Sequence, residues 1–198
     1  MNPMFVSFEG LDGSGKTTQA RRLAEALTAD GVVVVSTREP GGTPLGEAIR
    51  DLVLHGDHVA PWAEAALYTA ARAQHVEEVI RPALERGATV VCDRYVDSSV
   101  AYQGVGRGLG LDAVLELNLT AVGGLMPDHT VLVRLDPWTA VARMGEAPDR
   151  IERAGSDFVG RVHGAFDALA ERFPERYVVV DGTRTVDEIA EEIRERVR

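Results

Sequence analysis

The apolar residues of this chain gather into five short valine-rich runs, at residues 4–8, 32–36, 89–93, 130–135 and 177–181. None alternates with polar residues, the pattern of strands covered on both faces. Helical periodicity fills the intervals. Over residues 18–29, Ala20, Leu23, Ala24 and Leu27 keep i, i+3, i+4, i+7 spacing, which predicts one apolar stripe facing a core. Thr185 stands three residues before Glu188, a capping box that predicts the start of a last helix with Ile189 and Ile193 on its apolar face. Strands alternating with helices predict an α/β architecture around a parallel sheet. Ligands of such sheets bind beyond the carboxyl ends of the strands. Of the loops richest in glycine and charge, at 10–17, 38–44, 93–110 and 144–157, three directly follow a predicted strand.

Length and composition narrow the picture. With 198 residues, 45% of them hydrophobic, the chain is expected to form one domain over 1–198. The stretch 4–8 is too short, and lacks the basic flank, for a signal peptide, and no run reaches membrane-spanning length, so a soluble, cytoplasmic protein with no membrane partner is expected. A formal charge of −10 argues against broad nucleic-acid binding, which needs a basic face. Cys92 has no partner for an internal disulfide and sits in an apolar run, as a small core side chain does. His55, His58, His75, His129 and His163 show no ligand spacing, and no zinc site is expected. Of 21 lysines and arginines only Lys16 is a lysine, and it stands in a glycine-rich segment.

That segment reads Gly10-Leu11-Asp12-Gly13-Ser14-Gly15-Lys16-Thr17 and fits G-x-x-x-x-G-K-[ST], between a predicted strand and an amphipathic helix that Thr18 opens. Glycines let backbone N–H groups converge on phosphate oxygens, and the helix N-terminus adds partial positive charge. Lys16 is expected to reach the β- and γ-phosphates of ATP, and Thr17 to place its hydroxyl on Mg²⁺. Asp93, at the end of a strand, is the second expected Mg²⁺ residue. A flexible glycine turn would explain the glycines but not the Lys-Thr pair. The motif alone leaves kinase, ATPase and switch protein open.

Five segments, in order, carry a more specific resemblance: FEGLDGSGKTTQ from Phe8, TREPGGT from Thr37, YTAARAQ from Tyr68, DRYVDSSVAYQGVGRG from Asp93 and PDRIE from Pro148. Over nearly its whole length the chain resembles the bacterial thymidylate kinases. The resemblance implies a three-layer P-loop NTPase fold, with a five-stranded parallel sheet flanked by helices and a lid at about 144–157. It also implies a homodimer that transfers the γ-phosphoryl group of MgATP to dTMP in dTTP biosynthesis. Another nucleoside monophosphate kinase, or a P-loop ATPase or switch protein, is the alternative.

Residue by residue, the resemblance implies that Arg38, Arg50 and Arg94 gather around the dTMP phosphate while Arg72 hydrogen-bonds thymine. Guanidinium forks suit both tasks. Tyr68 occupies the position that stacks on the base; Ser99 and Gln103 lie at the base edge, and Tyr102 lies against the sugar, crowding a 2′-hydroxyl. Room for one methyl separates thymine from uracil by only about 1–3 kcal/mol, so dUMP turnover is expected. Asp12 falls near sugar and acceptor, with a turn residue as the equal alternative. Glu39 is a weaker acidic candidate beside Arg38. A core aromatic remains the alternative for Tyr68, and a solvated surface cation for any one arginine. Gly13 departs from relatives that carry a basic residue in the phosphate loop, so the catalytic arginine is expected from the lid. Arg150 is the first candidate, with Arg143 against adenine and Arg153 nearby; Asp181 is assigned to the adenine side. The expected catalytic set is Lys16, Arg94, Arg150 and Asp12.

Overall fold

The computed structural model describes residues 3–143 and 155–197. Strands β1 (Phe5–Glu9), β2 (Val34–Arg38), β3 (Thr89–Asp93), β4 (His129–Arg134) and β5 (Tyr177–Asp181) form one sheet in the order β2-β3-β1-β4-β5. All four pairings are parallel. The central strand β1 is buried at every position, which is why its sequence lacks alternation. The edge strand β2 departs from the expectation for 32–36. It is only partly buried and starts two residues later, because Gly31 (φ 83°) turns the chain, Val32 closes back onto the Leu27 carbonyl, and Val33 is 70% exposed. Thr37 and Arg38 instead complete the strand opposite Cys92 and Asp93.

Helix α1 (Lys16–Ala29) starts two residues ahead of the predicted 18–29, directly from the glycine loop. It packs with α9 (Val186–Arg196) on one face of the sheet, where Leu23, Leu27, Ile189 and Ile193 meet Val6, Phe8, Val131 and Val178. The capping box is formed: the Thr185 amide donates to Glu188 Oε2 at 3.0 Å and the Glu188 amide to Thr185 Oγ1 at 3.3 Å.

The other helices are α2 (Pro44–His55), α3 (Pro61–His75), α4 (Arg81–Glu85), α5 (Val96–Ser99), α6 (Leu111–Ala121), α7 (Pro137–Arg143) and α8 (Ser156–Arg172). A π-helical turn, Val76–Ile80, joins α3 to α4, and a second, Val100–Gly106, continues α5. Val76, Ile80, Val100, Val162 and Phe166 cover the opposite face of the sheet against Phe5, Val90 and Leu132, completing three layers. Of the expected lid, residues 144–154, with Arg150 and Arg153, lie outside the described residues. Among the described residues no helix is long and apolar enough to cross a membrane.

Candidate active site

The carboxyl ends of β1, β3 and β2 lie side by side, so the loop after β1 and the residues that close β3 and β2 share one rim of the sheet. Gly15 caps α1 at φ 96°, a left-handed turn that swings the loop into the helix. Gly13 is under a second constraint. At φ 79° a Cβ there would meet the Ala140 carbonyl of α7 at 2.4 Å, so position 13 has no room for a side chain. Among the described residues the buried Ser14 hydroxyl has no partner, an orphaned polar atom inside the cradle.

Lys16 is 6% exposed and folds back onto the loop, donating to the Leu11 carbonyl at 3.2 Å and Asp12 Oδ1 at 3.1 Å. Burial, then the charge of Arg94, lowers its pKa. Asp12 Oδ1 also takes Arg94 Nη2 at 2.5 Å. Burial alone would raise the Asp12 pKa, but Arg94 and then Lys16 overcome it and hold the carboxyl well below the usual range. The second oxygen of Asp12 accepts the Tyr102 hydroxyl at 3.1 Å, and burial keeps that phenol protonated.

Arg94 is held at φ 71°, alone among non-glycine residues described in having a positive φ. A side chain in that region costs about 1–3 kcal/mol and persists where surroundings enforce it. Here the Arg94 amide donates to the Phe8 carbonyl at 2.9 Å while the guanidinium reaches the Gly10 carbonyl at 3.2 Å and Ser98 Oγ at 2.9 Å. Ser98 in turn donates to Glu9 Oε2 at 2.5 Å, and the Tyr95 amide to Glu9 Oε1 at 2.8 Å. Burial, reinforced by Asp97, pushes the Glu9 carboxyl up to about 8.

At the end of β3, Thr17 Oγ1 donates to Asp93 Oδ2 at 2.5 Å, and the buried Asp93 Oδ1 has no partner among the described residues. Two adjacent oxygen donors beside a phosphate cradle fit a hard cation such as Mg²⁺. Arg38 does not join the acceptor residues. It pairs with Glu47 at 2.9 Å and lines the recess that holds Thr17, Arg21 and Asp93.

All the other expected acceptor residues, Asp12, Glu39, Arg50, Tyr68, Arg72, Arg94, Ser99, Tyr102 and Gln103, line one cavity with Pro40, Leu54 and Ser98. Arg50 reaches the Pro40 carbonyl at 3.0 Å. Arg72 is 2% exposed and heavily engaged. It donates to Glu39 Oε2 at 2.7 Å, Ser99 Oγ at 3.0 Å, the Tyr95 carbonyl at 3.0 Å, and Asn118 Oδ1. The other Glu39 oxygen contacts His75 Nδ1 at 2.9 Å, and His75 Nε2 meets Thr37 Oγ1 at 2.6 Å. Glu39, His75 and Cys92 therefore cluster, but the Glu39 and His75 atoms are spent on these bonds rather than open to a metal.

Sequence reasoning missed Asn118, His75 and Glu64. Asn118 had a signal, a lone amide among Val114, Leu115, Leu117 and Leu119; His75 directly follows the YTAARAQ segment, and Glu64 carried none. On the far side of the phosphate loop, Arg143 donates to the Gly182 carbonyl at 3.1 Å. Asp181 lines a separate recess with Leu135 and Asp136, its exposed carboxylate accepting the Thr183 amide at 2.9 Å.

Comparison with known proteins agrees with this arrangement. The family described as Thymidylate kinase matches residues 8–193. A thymidylate kinase of Leifsonia xyli is 56% identical over 196 residues, covering 96% of this chain and 92% of that protein. One from Bifidobacterium longum is 51% identical over 194 residues, covering 96% and 94%. The crystal structure of a thymidylate kinase from Ehrlichia chaffeensis superposes with a TM-score of 0.83 at 33% identity and covers all of both chains. The sheet order, glycine loop and three-layer packing are thus those of a P-loop NTPase fold. On the match across residues 8–193 and the identity to these relatives, the chain belongs to the thymidylate kinase family.

Proposed function

We propose that the protein transfers the γ-phosphoryl group of ATP to dTMP, releasing dTDP and ADP. The observation that carries this reading is the joining of a phosphate cradle to the acceptor cavity through one carboxylate, Asp12, which binds Lys16 on one side and Arg94 on the other. Transfer needs in-line placement of donor and acceptor and neutralised charge, with little covalent work for the protein. An oxygen of the dTMP phosphate attacks the γ-phosphorus, and the bond to the β–γ bridging oxygen breaks as ADP leaves.

The backbone of Gly10 to Thr18 cradles the donor phosphates, and Lys16 exchanges Asp12 for the β- and γ-phosphates. Thr17 and Asp93 hold Mg²⁺, which when bound neutralises phosphate charge. Arg94 and Arg50 bind the acceptor phosphate, joined by Arg38 once it leaves Glu47. Tyr68 stacks on thymine, Arg72, Ser99 and Gln103 take its edge, and Tyr102 meets the sugar; Glu39 supports Arg72. Arg143 and Asp181 serve the adenine side, and of the lid arginines Arg150 is the catalytic one, with Arg153 the other candidate. In this reading one domain acts as a cytoplasmic homodimer on ATP and dTMP, not on nucleic acid or membrane. The α3 face bearing Trp62, which is 51% exposed, is the proposed contact between copies.

The test is transfer of label: γ-³²P-ATP and dTMP should give labelled dTDP in step with ADP. Label appearing only as inorganic phosphate would contradict it.

A further inference from the structure

One carboxylate behind the acceptor cavity has no part in the roles above. Glu64, in the first turn of α3, is completely buried. Its Oε1 accepts Gln103 Nε2 at 2.9 Å and Arg107 Nε at 3.2 Å, and its Oε2 accepts Arg107 Nη2 at 3.3 Å. Arg107 is itself braced over the Phe158 ring at 4.8 Å. We propose that Glu64, held by Arg107, is a positioning residue that fixes the Gln103 amide and so makes the cavity select a base with N–H at N3 and a carbonyl at C4. The proposal rests on the dTMP reading and deepens it.

An ionised carboxylate only accepts hydrogen bonds, so the amide must turn its NH₂ toward Glu64. Turning the amide over would set carbonyl oxygen against carboxylate. Gln103 is 2% exposed, lines the cavity, and makes no other side-chain bond among the described residues. Its carbonyl oxygen is therefore the atom presented to a base, an acceptor for an N3 proton. Nearby, Ser99 Oγ already accepts from Arg72 Nη1, which leaves the hydroxyl proton to donate. Acceptor beside donor matches thymine. Cytosine reverses both positions, setting its N3 lone pair against the Gln103 oxygen and its amino group against the donors. A site built around such bonds rejects the mismatched analogue by far more than a missing methyl does.

The clean probe is 5-methyl-2′-deoxycytidine monophosphate, which shares the thymine methyl and differs only in the N3 and C4 groups. We would measure kcat/KM for it and for dTMP in the wild type, Glu64→Gln, Gln103→Met and the double variant, checking thermal unfolding of each. The expected wild-type preference for dTMP is above about 10²-fold. Glu64→Gln, which allows the amide either orientation, should shrink that ratio at least about tenfold, and the effect should vanish in the Gln103→Met background. Should Glu64→Gln not fold, Glu64→Asp keeps the charge opposite Arg107, shortens the reach to Gln103, and carries the same comparison. A ratio unchanged within about twofold, an equal fall with both substrates, or an effect that persists without Gln103 would overturn the proposal while leaving wild-type dTMP turnover, and the main reading, intact. A wild type that does not turn over dTMP at all would instead sink the reading on which the proposal rests.

Discussion

Asp12 and Arg94 meet at 2.5 Å between the phosphate loop and the acceptor cavity, and the oxygen that Arg94 holds is the one Lys16 also reaches. One cation of the phosphate loop and one of the acceptor cavity are thus held on the same carboxylate.

Arg94→Lys keeps the charge but loses the fork that spans Gly10, Ser98 and Asp12. We expect kcat to fall by about 10²–10³-fold, the range for loss of one preorganised donor to the reacting group. Steady-state kinetics with dTMP check this, and a change confined to KM would show that Arg94 only binds.

Asp93→Asn should raise the Mg²⁺ concentration for half-maximal turnover by about 10-fold or more, since it weakens one of the two oxygen donors next to the phosphates. EDTA should stop turnover in the wild type. Titration of Mg²⁺ against initial rate is the measurement. An unchanged midpoint would remove Asp93 from the metal site.

Stability should respond to pH through Glu9. Its folded pKa is raised to about 8, so its contribution is full below the unfolded value near 4.5 and is lost as pH rises toward 8. Glu9→Gln mimics the protonated form. From pH 5 to 8 the melting temperature of the wild type should therefore fall relative to that variant, by about 2–4 °C for each kcal/mol. Asp12 has the opposite sign: its lowered pKa stabilises above the unfolded value and is lost in acid. Parallel curves for wild type and Glu9→Gln would contradict the Glu9 assignment.

Gly13→Ala adds a Cβ that meets the Ala140 carbonyl at 2.4 Å in a left-handed backbone. It should cost about 1–3 kcal/mol and weaken ATP binding. Gly160→Ala, on the exposed side of α8 with nothing within 4 Å of the new methyl, is the control and should be neutral or stabilising by up to about 1 kcal/mol. Thermal melts of the two variants decide it.

Much of this was legible from local pattern. Apolar runs without polar alternation marked β1, β3, β4 and β5, and Thr185 with Glu188 marked the start of α9, because sheet burial and capping write themselves into adjacent residues. The start of β2 was misjudged because Val32 and Val33 are apolar without being in the sheet. The glycine loop was legible for the same local reason. What escaped was pairing across distance. Nothing in the sequence tells that Arg38 rests on Glu47 while Arg72 is ringed by Glu39, Ser99, Tyr95 and Asn118. Glu64 reads as an ordinary first-turn acid of a helix, and only the fold brings it under Gln103 and Arg107. Arg150 and Arg153 lie outside the described residues, so their roles rest on the resemblance.

The most direct test of the account is ADP release with MgATP and each nucleoside monophosphate in turn, beside a control without acceptor. The account predicts the highest kcat/KM with dTMP, measurable turnover of dUMP, and little release in the control. Equal ADP release without any acceptor, or a preference for AMP, GMP or UMP, would contradict it.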